Sequence, residues 1–191
     1  MNALHRKLLK RTAVAFIGVA AVVLVPGLLH LYGFLPYFVA INRTPSIPVG
    51  LYLTSSLPVD KVSALEYDKI TCFRYRVPDW AESRTYFHAG GHLCKYLVAK
   101  EGDTLAQDES GVWQARGADG VTRLVGRIAE TDSVGRPLPQ HMLSAGTVPS
   151  GHVLITAPAL ERSLDSRYLG FIPVNDLTMK KRPLLTYEGS K

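Results

Sequence analysis

Charge is missing where a soluble chain would carry it: residues 12 to 42 contain no Lys, Arg, Asp or Glu. The eleven residues before them, MNALHRKLLKR, contain no acid. Cysteine is scarce, with only Cys72 and Cys94, and no Cys-x-x-Cys knuckle is present. His88 and His92 lie near the two cysteines, but Gly90 and Gly91 separate the histidines, and this pattern argues against a zinc site. In an oxidising compartment the cysteines pair as a disulfide; the other reading is two unbonded core thiols. No metal and no other cofactor is implied. Helical periodicity is absent beyond the apolar stretch, which argues against a helical domain. There is no internal repeat and no low-complexity linker. No Gly-x-Ser-x-Gly turn is present, so the familiar histidine-activated serine arrangement is absent as well.

The uncharged run from Thr12 to about Phe34 is long enough to cross a bilayer as a helix, which needs roughly 20 apolar residues. Pro26 and Gly27 are expected to kink it, which a membrane helix tolerates. Arg6, Lys7, Lys10 and Arg11 precede it, and by the positive-inside rule that end stays in the cytoplasm. The expected organisation is a cytoplasmic tail over 1–11, an anchor over 12–34 and an extracytoplasmic domain over 35–191. The rival is a cleavable signal peptide, but its apolar core would be shorter, about 7–15 residues, and Phe38-Val39-Ala40 is a poor cleavage site. The net charge of +6 comes mostly from the tail. Four of the 22 Lys and Arg residues lie there, leaving 18 against 16 acids. That balance excludes a nucleic-acid surface. Lys180-Lys181-Arg182 is read as a solvated or lipid-facing cluster.

After the anchor the chain reads as mainly β, with short strands and long loops. GLYLTSS alternates and is closed by Pro58. KITCFRYRV alternates imperfectly, and HLCKYLVA is compact and apolar. GVWQARGADGVTRLVGRIA carries Asp119-Gly120 between two alternating runs, a hairpin signal. GHVLITA is a further strand. The segment from Val77 to Gly91 reads as a loop.

Three short stretches carry the chemistry. In NRTPSIPVGLYL, Pro45 and Pro48 frame Ser46 and stiffen its backbone. A serine hydroxyl is a poor nucleophile until a base takes its proton. In HLCKYLVAKEGD, Lys95 interrupts an apolar strand; burial there would favour its neutral form, and the other reading is a lysine that points to solvent on an edge strand. Lys100 lies nearby, but Glu101 beside it suggests a solvated turn. In ERSLDSRYLG, two serines, Asp165, Arg167 and Tyr168 crowd together, and an Asp165–Arg167 ion pair would hold the loop.

In this order the three stretches resemble the type I signal peptidases, the serine/lysine proteases that cut leader sequences at the membrane. The nearest match is the TraF-like branch of conjugative transfer. Its Asn-x-Thr-x-Ser-x-Pro-x-Gly-Leu-Tyr pattern is met by Asn42, Thr44, Ser46, Pro48, Gly50, Leu51 and Tyr52. VGRPLP, residues 134 to 139, resembles its Gly-Arg-x-Leu-Pro segment. The resemblance implies a signal-peptidase-like β domain of short antiparallel strands behind one transmembrane helix. It implies Ser46 as nucleophile, Lys95 as general base and Thr44 as an oxyanion donor beside the Ser46 N–H. Ser163 would orient the lysine, and Asp165 with Arg167 would set the loop. Ile47 replaces the usual Met, Tyr96-Leu97 the usual Arg-Val, and Lys100-Glu101-Gly102-Asp103 the usual Leu-Pro-Gly-Asp.

The implied partners are the bilayer and a precursor protein with a leader peptide, a conjugative pilin above all, with no nucleic acid. The implied location is the inner membrane, single-pass, with the catalytic domain in the periplasm. Ser46 lies about 12 residues beyond the anchor, at most about 40 Å of extended chain, so it stays near the membrane surface. Two other functions fit the same features: a general housekeeping signal peptidase, and a non-catalytic membrane-anchored assembly protein of a secretion or conjugation apparatus.

Overall fold

The computed structural model describes residues 3–31, 37–84 and 86–187. The chain divides into two compact units, residues 1–39 and 40–191. The first holds the helix α1, Ala3–Leu31. Within it, Arg11–Leu29 is long and apolar enough to cross a membrane, with a mean hydropathy of 2.4. Val14, Phe16, Ile17 and Val22 stay exposed along it, a surface that fits a single-pass anchor. The helix continues through Pro26. The last part of the expected span, residues 32–34, lies outside the described residues.

The rest is mainly β. The strands are β1 Tyr37–Asn42, β2 Val49–Ser56, β3 Ile70–Arg74, β4 His92–Lys100, β5 Thr104–Gln107, β6 Trp113–Arg116, β7 Thr122–Gly126, β8 Gly146–Thr147, β9 His152–Thr156, β10 Ile172–Pro173 and β11 Leu177–Tyr187. A single-turn helix α2, Ser166–Leu169, lies between β9 and β10. Among the described residues these strands form a seven-stranded sheet ordered β1-β2-β11-β3-β4-β9-β10 and a four-stranded sheet ordered β7-β6-β5-β8. The strands expected from alternation appear as β2, β3, β4 and β9, and the Asp119-Gly120 hairpin as β6 and β7.

β4 connects the two cores. Leu93 and Leu97 face a cluster with Phe73, Tyr75, Ile155 and Leu177. The register shifts between Leu97 and Ala99. This break in alternation lets Val98 and Ala99 join a second cluster with Leu105, Trp113, Val125 and Leu154. A third, smaller cluster of Ile47, Tyr52 and Ile70 packs against Cys94 and Tyr96.

The strand that alternation does not reveal is β11, the longest, which lies between β2 and β3. Its sequence, LTMKKRPLLTY, holds three consecutive cations and a proline. The cations separate: Lys180 reaches Glu66 at 3.2 Å, while Lys181 is half-buried over the Tyr52 ring, 6.0 Å from its centroid. Lys181 is therefore not the solvated residue that its neighbours suggest. Pro183 is tolerated because β3 pairs only with Leu177–Lys181. Beyond that point β11 is bonded to β2 alone, and an edge strand accepts proline.

β2 passes very close to β11 at Gly50, whose φ is +151°. A Cβ there would lie 2.1 Å from the Leu185 carbonyl oxygen. Gly50→Ala is expected to cost about 2–4 kcal/mol, read as a lowered urea midpoint of the full chain in detergent. An unchanged midpoint would refute the close approach.

Candidate active site

The turn that carries Ser46 is fastened from both sides. Asn42, at the buried end of β1, donates from Nδ2 to the carbonyls of Thr44, Ile47 and Pro48 at 2.7, 3.0 and 3.1 Å. Tyr52, fully buried on β2, donates its hydroxyl to the Pro48 carbonyl at 2.6 Å. Ile47 is buried against Tyr52 and Ile70 and pins the turn to the core. The two prolines thus limit a backbone that hydrogen bonds and one apolar anchor then hold. Ser46 is buried, at 9% exposure. Thr44 is exposed, and its hydroxyl donates to Asn42 Oδ1 at 3.1 Å.

Lys95 occupies the buried row Leu93–Lys95–Leu97 of β4, opposite Thr71 on β3. It is 6% exposed, and its Nζ donates to the Cys94 carbonyl at 3.2 Å. Burial pulls its pKa from the ordinary 10.5 down to about 8. The carboxylate of Asp165 works against that shift, while the charges of Lys181 and Arg167 add to it. At pH 7 roughly one amine in ten is then neutral, against a few in ten thousand for a free lysine. Cys72 and Cys94 are joined as a disulfide between directly opposed positions of β3 and β4, one residue from Lys95. Neither sulfur is available as a thiolate ligand for a metal.

The segment from Glu161 to Gly170 builds the wall beside Lys95. Asp165 and Arg167 are fully buried and pair through two hydrogen bonds, Nε to Oδ1 at 3.0 Å and Nη2 to Oδ2 at 2.8 Å. Arg167 also donates to the carbonyls of Arg127, Ala157 and Leu160. Asp165 accepts from the Ala157 and Arg167 N–H groups, the second capping α2. Ser166 Oγ accepts from the Ile155 N–H at 2.9 Å. Tyr168 donates to the Glu161 carbonyl and accepts from the Ala129 N–H. Gly126, at φ +105°, leaves room for Arg167: a Cβ would lie 2.9 Å from its Nη1. Ser163 Oγ is buried and has no hydrogen-bond partner among the described residues.

The VGRPLP segment folds around Asp132, a residue that the sequence reading passes over. Asp132 accepts from the Val134 and Arg136 N–H groups, from Arg136 Nε at 2.7 Å and from the Tyr86 hydroxyl at 2.6 Å. Burial opposes charge on this carboxyl, but those bonds outweigh it and hold the pKa below the usual range. Arg84 donates to the Pro137 carbonyl, tying the loop after Val77 to the same segment. Arg136 therefore shapes a loop. A cleft of about 730 Å³ lined by Tyr67, Lys100, Glu101, Asp119 and His152 includes none of the six candidate residues.

The structure gathers Lys95, Asp165, Arg167 and Lys181 into one electrostatic neighbourhood. The small cluster that holds Ile47, next to Ser46, also receives Cys94 and Tyr96, which flank Lys95. Among the described residues no hydrogen bond joins Lys95 to Ser46 or to Ser163, and the proton of Thr44 is directed to Asn42. Sequence reasoning missed Asn42, Lys181 and Asp132 as structural participants. Asn42 alone had a signal, its place four residues before the serine. Chemically, the arrangement offers a buried amine whose proton affinity is lowered and, on a separate turn, a buried serine hydroxyl on a fastened backbone.

The chain is similar to known proteins along most of its length. The family model for signal peptidase, peptidase S26, matches residues 9–184. A plasmid transfer protein TraF of Escherichia coli is 32% identical over 189 residues, covering 95% of this chain and 99% of that protein. A second TraF from Escherichia coli is 30% identical, covering 90% of this chain and 93% of its own length. A probable conjugal transfer protein TraF of Sinorhizobium fredii (strain NBRC 101917 / NGR234) is 32% identical over 77% of each chain.

Proposed function

The chain belongs to the signal peptidase family, peptidase S26, and from that premise we propose that it is a membrane-anchored serine endopeptidase with a Ser46–Lys95 dyad that removes leader peptides from exported precursors. The observation that carries this reading is the buried Lys95 amine, with its pKa brought down to about 8. A general base works best when its pKa lies near the working pH. The relatives are named for plasmid and conjugal transfer, and on that ground the substrate proposed is a conjugative pilin rather than a wide set of secreted proteins. The apolar helix and the basic tail support a single-pass location in the inner membrane, with the tail inside and the β domain in the periplasm.

In the proposed reaction the neutral Lys95 amine takes the Ser46 proton as Oγ attacks the scissile carbonyl. The oxyanion is met by the Ser46 N–H and, after a turn of its hydroxyl, by Thr44; Pro45 has no N–H to offer. The Lys95 ammonium then protonates the leaving amine, and water releases the acyl group from Ser46. Ser163, on the same segment as Asp165 and Arg167, has a buried hydroxyl without a hydrogen-bond partner among the described residues, which supports giving it the role of steadying the ammonium. The Asp165–Arg167 pair holds that wall in place.

The test is incubation of the purified full-length chain, in detergent, with a conjugative pilin precursor, followed by mass spectrometry of the products. A single cut that rises in rate with pH through about 8 and is lost in Ser46→Ala is expected. An uncut precursor, or one that Ser46→Ala still cuts, defeats the reading.

A further inference from the structure

The reaction just described gives no part to Asn42, yet Asn42 makes more bonds to the nucleophile turn than any residue considered in it. The amide has two protons on Nδ2 and three carbonyl oxygens within 3.1 Å of that nitrogen, so one proton is shared. Three acceptors on one side settle which end of the amide faces the turn, since an amide oxygen cannot donate to a carbonyl. Oδ1 is therefore the end that meets Thr44, and between that oxygen and a hydroxyl the hydroxyl must be the donor. The single proton of Thr44 is thus committed to Asn42 at rest.

We propose that Asn42 is a positioning residue for the active site: its Nδ2 closes the Ser46 turn by holding the carbonyls of Thr44, Ile47 and Pro48, and its Oδ1 holds the Thr44 hydroxyl proton until a substrate oxyanion takes it. This rests on the Ser46–Lys95 reading. The exchange is balanced: one hydrogen bond to a neutral amide oxygen is given up for one to a charged oxygen, and the charged acceptor is the stronger. The bond to Oδ1 also keeps the Thr44 side chain in a single place, so the donor needs only to turn its O–H bond. A site whose donors are already placed gains most in the transition state.

The experiment is steady-state cleavage of a pilin precursor by the full-length chain and its variants. Asn42→Ala is expected to lower kcat on the order of 10²-fold with KM little changed, since a displacement of about 1 Å in the turn carries that cost. Thr44→Val is expected to lower kcat by about 10²–10³-fold. Because Asn42 acts partly through Thr44, the double variant should lose less than the product of the two single losses. Circular dichroism and the urea midpoint check each fold. An Asn42→Ala chain that is folded and within about twofold of the parent kcat, or losses that multiply fully, overturns the proposal. Should Asn42→Ala not fold, Thr44 decides: Thr44→Ser keeps the hydroxyl and should stay within about threefold, while a Thr44→Val chain as active as the parent overturns it. A parent chain that cuts nothing, or a Ser46→Ala chain that still cuts, defeats the protease reading itself. A parent that cuts, beside an equally active Asn42→Ala, defeats only the role of Asn42.

Discussion

Lys95→Met is expected to abolish precursor cleavage and to make the chain more stable at neutral pH. The first effect follows from removing the proposed base: losses of about 10⁴-fold or more are usual when one member of a catalytic unit is removed. The second follows from linkage. In the folded chain Lys95 titrates near about 8, and in the unfolded chain near its ordinary 10.5. Burial is the leading cause, so folding below pH 8 works against a charged amine. Between pH 8 and 10.5 the unfolded state binds more protons, so parental stability rises with pH across that window. The cost is present in full below about 8 and is relieved as pH approaches 10.5. A shift of this size corresponds to about 3 kcal/mol, and methionine fills a similar volume without a charge. At pH 7 the variant should unfold on the order of 5–10 °C higher, and the gap should narrow above pH 8. Lys181→Met is a companion: without its positive charge, Lys95 should hold its proton more tightly and the acidic limb of the cleavage profile should move upward. A Met variant that cleaves, or that melts below the parent at pH 7, would end this account of Lys95.

Arg167→Met is expected to be the most damaging substitution beside the site. It would leave the fully buried Asp165 carboxylate without its guanidinium partner. Breaking one side of a buried pair costs about 3–5 kcal/mol, because the remaining charge stays desolvated. The carbonyls of Arg127, Ala157 and Leu160 would lose their donor at the same time, which adds to the loss. Urea unfolding of the full chain in detergent reads the effect directly. Replacing both members, Arg167→Met with Asp165→Leu, should recover part of the loss, since an apolar pair leaves no unpaired charge. A single variant that loses less than about 1 kcal/mol would mean that water or another group already satisfies Asp165.

Much of this protein is local and was legible as such. The uncharged run, the basic tail, the alternation in β2, β4 and β9 and the Asp119-Gly120 hairpin each occupy one short window, where side-chain period and turn chemistry are enough. The lone lysine in an apolar strand and the serine between two prolines were also local anomalies, and both proved buried. The Asp165–Arg167 pair, two residues apart, could be anticipated and is present.

What escaped was set by partners far away in the chain. β11 looks solvated in isolation because it is rich in cations and contains proline, yet it lies between β2 and β3, where Lys181 meets Tyr52 across 129 positions of sequence. Asn42 stands in the sequence as one position of a motif with no role attached until the chain folds back and brings three carbonyls to its amide. The two cysteines could be free or joined until β3 and β4 pair in the register that sets them opposite each other. The pKa of Lys95 has the same origin. Residue type supplies an amine, but the lowering comes first from burial and then from the charges of Lys181 and Arg167, and both are set by packing between distant segments.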